Sequence, residues 1–296
     1  MAESRPPAAR REDDVRARDV ACAVAVLEAA DEGPTGIGIF TDEDLLALDG
    51  LSQEQVVPLP WMTENEDSVS TEIAASVALR SLIARRLVIP AELLADSFEQ
   101  IEGNARRMYA VDPVQGILTL RRSAEALSTF QRVVEGGVHT IVHYLFDEGR
   151  ALEEEITADG YHHFAVMPVA AVPERLLVLI DQDDVAGADG EPFSLASSAI
   201  PTDPALDAML SDTRALTVGS LIRRDGTMEQ YTFYATSERL LAACADVPDG
   251  VDPADVDDPV MTFVEVSDET AQRMVGLLLD SAMPGQDADG SGNGSA

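Results

Sequence analysis

"VHTIVHYLFDEGRALEEEITADGYHHFAVMPV", residues 138–169, is where the hydrophobic period of the chain changes from 3.6 to 2. Three alternating runs are separated by "DEG" and "ADG", and three-residue loops closing on glycine mark hairpins. The stretch predicts three antiparallel strands, with Phe146 opposite Arg150 and Thr157 opposite Tyr161. Counting back from the turns puts His143 opposite Glu153 and Glu155 opposite His163. Side chains alternate between faces, so one face takes His139, His143, Glu153, Glu155, Thr157, Tyr161 and His163. The other takes Val138, Val142, Tyr144, Phe146, Leu152, Ile156, Phe164 and Val166 and reads as core. Glu154 and His162 break that core phase, and the pattern assigns them to an edge.

All 4 histidines of the chain lie in this stretch, which raises the question of a metal. A zinc ion needs ligand atoms about 2.0–2.2 Å away, and residues four apart on a strand are about 13 Å apart. His139 and His143 therefore cannot share one ion. His143, Glu153 and His163 could converge only through unusual rotamers or a bulge, so a zinc-dependent enzyme on that face is a third-ranked reading. A solvated polar face is the expectation. Glutamates facing His143 and His163 would raise their pKa and make the face responsive to mild acidification.

Outward from this core the chain reads as alternating helices and strands. A helix is expected over 10–30, then a strand and a helix in "IGIFTDEDLLALDG" (37–50) with Thr41 as N-cap. "SVSTEIAASVALRSLIARR" (68–86) is the strongest helix, with Ile73, Val77 and Arg80 on one side and an apolar stripe widened by Val69, Ala75, Leu79, Leu82 and Ile83. Helices are also expected over 91–101, over 121–137 and over "VPERLLVLIDQ" (172–182). A second series follows: the helix "DPALDAML" (203–210), a hairpin turning at Arg224-Asp225-Gly226, a helix in "SERLLAACADV" (237–247), the strand "VMTFVEV" (260–266) and a closing helix capped by Ser267. The expected architecture is α+β, two related halves each with an antiparallel sheet packed with helices. The boundaries are a disordered tail over 1–9, a first half over 10–183, an acidic linker over 184–203, a second half over 204–283 and a tail over 284–296.

Composition excludes several functions. Acidic residues number 54 against 20 basic ones, all arginine, for a formal net charge of −34. Such a surface repels phosphate backbones and anionic lipid, which argues against nucleic-acid and membrane partners. Alanine-rich, lysine-free usage suggests a GC-rich or salt-adapted source. Cys22 and Cys244 are far apart and form no C-x-x-C, so neither a disulfide framework nor a redox motif is implied, and a cytoplasmic location fits. No G-x-S-x-G, P-loop or H-E-x-x-H is present. "DQDDVAGADGE" (181–191) departs from the EF-hand pattern at Val185 and Ala186 and reads as an acidic linker. No cofactor and no catalysis are expected.

Two patterns point to partners. The stretch 72–90 resembles the third helix and exit of a winged helix, with Arg80, Arg85 and Arg86 as candidate phosphate contacts, which gives a transcriptional regulator as the alternative reading. "FTDEDLLALDGLSQEQVVPLP" (40–60) followed by "ALRSLIARRLV" (78–88) resembles the amino-terminal half of the EspG-type chaperones of actinobacterial type VII secretion. Ser81-Leu82-Ile83-Ala84-Arg85-Arg86-Leu87 matches that family's "SLxARGL" pattern except at Arg86, where glycine is usual. The resemblance implies a cytoplasmic, non-enzymatic chaperone that holds a helical secreted client through an exposed sheet and loops. Aromatic and arginine residues suit interfaces, so the expected partner-binding residues are Arg223, Arg224, Tyr231 and Phe233.

Overall fold

The computed structural model describes residues 7–90, 108–135, 137–246 and 256–282. The fold is α+β. Its first elements are α1 (Pro7–Glu28), β1 (Thr35–Thr41), α2 (Asp42–Asp49), α3 (Pro60–Glu64), α4 (Thr71–Ala84), β2 (Val88–Pro90), β3 (Met108–Ala110) and α5 (Asp112–Ser123). Then come β4 (Ala126–Val134), β5 (Gly137–Phe146), β6 (Arg150–Ile156), β7 (Tyr161–Pro168) and α6 (Val172–Ile180). The chain continues through β8 (Phe193–Ala196), α7 (Pro204–Leu210), β9 (Ala215–Arg223), β10 (Met228–Ala235), β11 (Leu240–Asp246), β12 (Val260–Glu265) and α8 (Asp268–Asp280).

These elements form two compact units, Met1–Ala124 with Leu152–Met167, and Glu125–Ala151 with Pro168–Ala296. The division differs from the continuous halves expected at 10–183 and 204–283, because the β6–β7 hairpin folds with the amino-terminal helices. The expected linker over 184–203 is partly structured, since β8 pairs with β12. The helix expected over 91–101, both chain termini (1–6 and 283–296) and most of the acidic loop 247–258 lie outside the described residues.

In unit 1, β1 pairs antiparallel with β7, and β6 lies beside β7. The predicted turn register is present: Thr157 N–H donates to Tyr161 O at 3.0 Å. Thr41 caps α2, its hydroxyl accepting from Asp44 N–H. On α4 the buried side is Ala74, Ala75, Ala78 and Leu82, whereas Ile73 and Val77 are exposed. That corrects the expected stripe: α4 packs against α2 through its alanines, whose small side chains permit close approach. After α4, Arg86 N–H donates to Ile83 O and Leu87 N–H to Leu82 O, the paired bonds of a Schellman cap. Arg86 takes φ 60°, the left-handed conformation that glycine favours.

Unit 2 is built on one antiparallel run of strands in the order β5-β4-β9-β10-β11-β12-β8. Two expected helices are strands here. The helix expected over 121–137 does not form: α5 ends at Ser123 and β4 begins at Ala126. "LLAACAD" is β11, between β10 and β12, with Leu240, Leu241, Ala242 and Ala243 all buried. Burial on both faces of a central strand overrides alanine's helix propensity. α6 and α8 pack together, and α8 is capped by Ser267 as expected, its hydroxyl accepting from Thr270 N–H.

Candidate functional site

The residues that broke the core phase, Glu154 and His162, are both buried and bonded to each other. His162 Nδ1 lies 2.7 Å from Glu154 Oε1, and its Nε2 lies 2.8 Å from Asp42 Oδ1. Glu154 also accepts from Arg121 Nε at 2.9 Å. Arg121 Nη1 donates to Asp49 at 2.9 Å, and Asp49's other oxygen accepts from Arg122 at the same distance. Asp42 in turn accepts from Met62 N–H at 3.0 Å. The network therefore holds α2 at both ends, to β7 and α3 through Asp42 and to α5 through Asp49. His162, Glu154, Asp42 and Arg121 side chains are all at 0% exposure.

Local sequence explains the placement. Asp42 and Asp49 bound α2, and the Arg121-Arg122 pair lies in the last turn of α5, where cations also suit the helix dipole. Gly160, in the β6–β7 turn, has φ 78°, and its carbonyl accepts from Asp42 N–H at 2.9 Å. A Cβ at Gly160 would stand 2.6 Å from Trp61 Cβ and 3.0 Å from Asp42 Cγ, so glycine is needed for the turn and for the close approach.

The charge state follows from geometry. Both ring nitrogens face carboxylate oxygens, and a neutral imidazole has only one N–H to donate. Among the described residues, three carboxylates, Asp42, Asp49 and Glu154, face two guanidiniums, and an imidazolium at His162 would balance that set. Burial is the largest single influence on His162 and pulls its pKa down. The hydrogen bonds to Asp42 and Glu154, with the charges of both, outweigh it and leave the pKa raised.

A different feature occupies unit 2. Residues facing the same side of β5, β4, β9 and β10 form four rungs. These are Val138-Val133-Leu216-Tyr234, Thr140-Gln131-Val218-Thr232, Val142-Thr129-Ser220-Gln230 and Tyr144-Leu127-Ile222-Met228. None of these positions carries a charge. Val142 and Tyr144 are buried, but Val133, Val138 and Ile222 are 42%, 45% and 39% exposed, and Gln131 and Gln230 are also exposed. The far end of this face, over β11 and β12, is covered by α7, where Leu206 packs with Ala243 and Phe263. The opposite face carries His139, His143, Arg132, Arg223 and Glu229, and Arg223 there donates to Ser281 O just beyond α8.

The predicted site residues fall as follows. His143 is fully buried, because it shares the face of Ser128 and Leu221 under the α6–α8 layer, and Glu153 is buried too. The expected solvated face is thus corrected at both positions. His163, half-buried, pairs with Ile39 of β1. His143 lies in one unit and Glu153 and His163 in the other, and they are not assigned as a site. Among the described residues, the acidic or histidine ligand atoms that gather within 4.8 Å are those of Asp181, Asp184 and Asp268. Asp181 there already accepts from Val185 and Ala186 N–H. Of the expected partner anchors, Phe233 is a core residue at 1% exposure. Tyr231 is half-buried on the helix-covered face, and Arg223 is engaged with Thr227, Glu229 and Ser281. Arg224 is exposed and pairs with Glu125 at 3.0 Å. The neighbours Ile222, Met228 and Gln230, one step out of phase, form the uncharged face instead. Strand alternation carried the signal, once β4 was recognised as a strand.

No protein-family model matches this chain, and no curated protein matches it in sequence. Among the described residues no helix is long and apolar enough to cross a membrane.

Proposed function

We propose that this is a non-enzymatic, cytoplasmic protein-binding module that holds a helical client on the uncharged face of β5-β4-β9-β10. The observation that carries the reading is an exposed, valine- and threonine-rich patch without a charge in a chain of net charge −34. Three inter-strand steps span about 14 Å, enough to seat one helix of about 10–12 Å diameter. Apolar burial would supply the affinity, and the surrounding acidic surface would exclude nucleic acid and other anions. The resemblance of residues 40–60 and 78–88 to EspG-type chaperones makes a type VII secretion client the specific version of this proposal. Arg86 is consistent with it. The position where that family has glycine keeps a left-handed backbone here.

The test is affinity capture from the native cytoplasm at low and high salt, run with the wild type and with Val133→Glu. Recovery of a helical exported protein that survives salt and is lost with Val133→Glu supports the reading. Equal recovery by both chains overturns the assigned face.

The winged-helix reading retains one observation in its favour: α4 is followed by the paired strands β2 and β3. Arg85 is bridged to Asp44 at 2.6 Å, leaving Arg80 and Arg86 exposed. Salt-sensitive DNA retention in the same experiment would favour it over the chaperone reading.

A further inference from the structure

We infer that His162 is a protonation latch on α2, closed while the ring is an imidazolium and opened by its deprotonation. The inference rests on the buried cluster and is independent of the client proposed for unit 2. Among the described residues, the charged groups bonded to the ring and to its partners form one chain of contacts. From α2 come Asp42, in direct contact, and Asp49, through Arg121. From β6 comes Glu154, and from α5 come Arg121 and Arg122. Asp44, also on α2, is turned to Arg85 beyond the end of α4. From β1 the paired residue is Phe40, and α3 contributes the Met62 N–H to Asp42.

Removing one proton leaves Asp42, Glu154 and Asp49 buried around a single buried guanidinium, Arg121, with Arg122 reaching Asp49 from the surface. It also turns one of the two short contacts into a lone pair facing a carboxylate. A buried, uncompensated charge is strongly unfavourable, and the cheapest relief is separation of Asp42 from His162. Asp42 is the first residue of α2, so that separation frees the amino-terminal end of the helix. Leu45 and Leu46, buried on α2, would then be exposed together. The direction is opposite to an acid sensor: the ring holds its proton more tightly than a free imidazole, and the trigger is alkalinity.

The sign follows from linkage. His162 binds its proton more tightly in the closed state than in the open one, where the pKa returns to about 6.5. The latch is fully closed below that value. Its opening constant rises up to about ten-fold per pH unit above it, and levels off once pH passes the raised closed-state pKa.

The experiment is a titration of the full chain between about pH 6 and 10, reading the His162 ring by 15N NMR. In the same samples, amide exchange of residues 42–49 is followed, corrected for the intrinsic pH dependence. An imidazolium at neutral pH, with α2 exchange accelerating as the ring deprotonates while β9–β11 amides do not change, is the expected result. His162→Gln should abolish the pH dependence. Should that variant fail to fold, Asp42→Asn must lower the ring's midpoint by removing one of its two anionic partners. A neutral ring at pH 6.5 overturns the inference, as does α2 protection that ignores the ring's titration or a midpoint unmoved by Asp42→Asn.

Discussion

Unit 1 buries the side chains of Asp42, Glu154, Arg121 and His162 with no exposure, while unit 2 leaves Val133, Val138 and Ile222 exposed on a sheet face on which no charge stands. In an ordinary soluble chain the two arrangements would be reversed. The difference separates two uses of polarity. Buried charge in unit 1 contributes little net stability over a well-packed apolar core, but each partner is costly to remove alone, so it fixes which elements meet. The exposed part of the uncharged face of unit 2, at Val133, Val138 and Ile222, has no such fixing role. In the proposed function a client covers it.

Breaking the network should produce the largest effect. Arg121→Ala leaves Glu154 and Asp49 buried without their shared cation, and the expected loss is about 3–5 kcal/mol. Chemical denaturation followed by Trp61 fluorescence measures it, because the chain's single tryptophan lies in α3 of unit 1. A loss below about 1 kcal/mol would be that of an exposed pair and would mean the network is solvated. Replacing Arg121 and Glu154 together by methionine and leucine should cost less than Arg121→Ala alone, as the comparison requires.

Gly160→Ala comes next. The new Cβ is strained at φ 78° and meets Trp61 and Asp42, for a loss of roughly 1–3 kcal/mol. Denaturation midpoints would show it, and the His162 ring midpoint should fall with it if Asp42 is pushed away. Arg86→Gly is expected to act in the other direction. A left-handed non-glycine residue costs about 1–2 kcal/mol, and glycine's greater unfolded-state freedom returns about 0.5–1 of that. The net stabilisation is about 0.5–1 kcal/mol, visible in the thermal midpoint of unit 1.

Much of this architecture was legible in sequence, and its failures are local. Thr41, Ser267, the "ADG" turn and the Arg224-Asp225-Gly226 hairpin each carry a short-range cause, a cap or a required positive φ, and each is where it was expected. β4 and β11 look helical in sequence because alanine and mixed polar residues favour helix locally, whereas their strand state comes from neighbours distant in sequence. The same distance hid the network. Glu154 and His162 were visible as exceptions to the core phase, but Asp42 and Arg121 lie 120 and 33 positions from their respective partners. No spacing rule joins them. The uncharged face is hidden in the sequence by the helical look of β4 and by phase: the expected anchors Tyr231 and Phe233 alternate with Gln230 and Thr232, which lie on the uncharged side.

That difference of phase sets the sharpest test of the comparison, although its effect on stability is the smallest. Ile222→Glu places a charge on a side chain 39% exposed, so folding free energy should change by no more than about 0.5 kcal/mol. Phe233→Ala, at an anchor expected from sequence, removes a core side chain and should cost about 3–5 kcal/mol. If the open face holds a client, Ile222→Glu abolishes capture at unchanged stability, whereas Phe233→Ala weakens capture only to the extent that unit 2 unfolds. Denaturation curves beside capture for the two variants separate surface from core. Capture that survives Ile222→Glu would leave the uncharged face without a binding role, and the contrast between the units would then be one of folding alone.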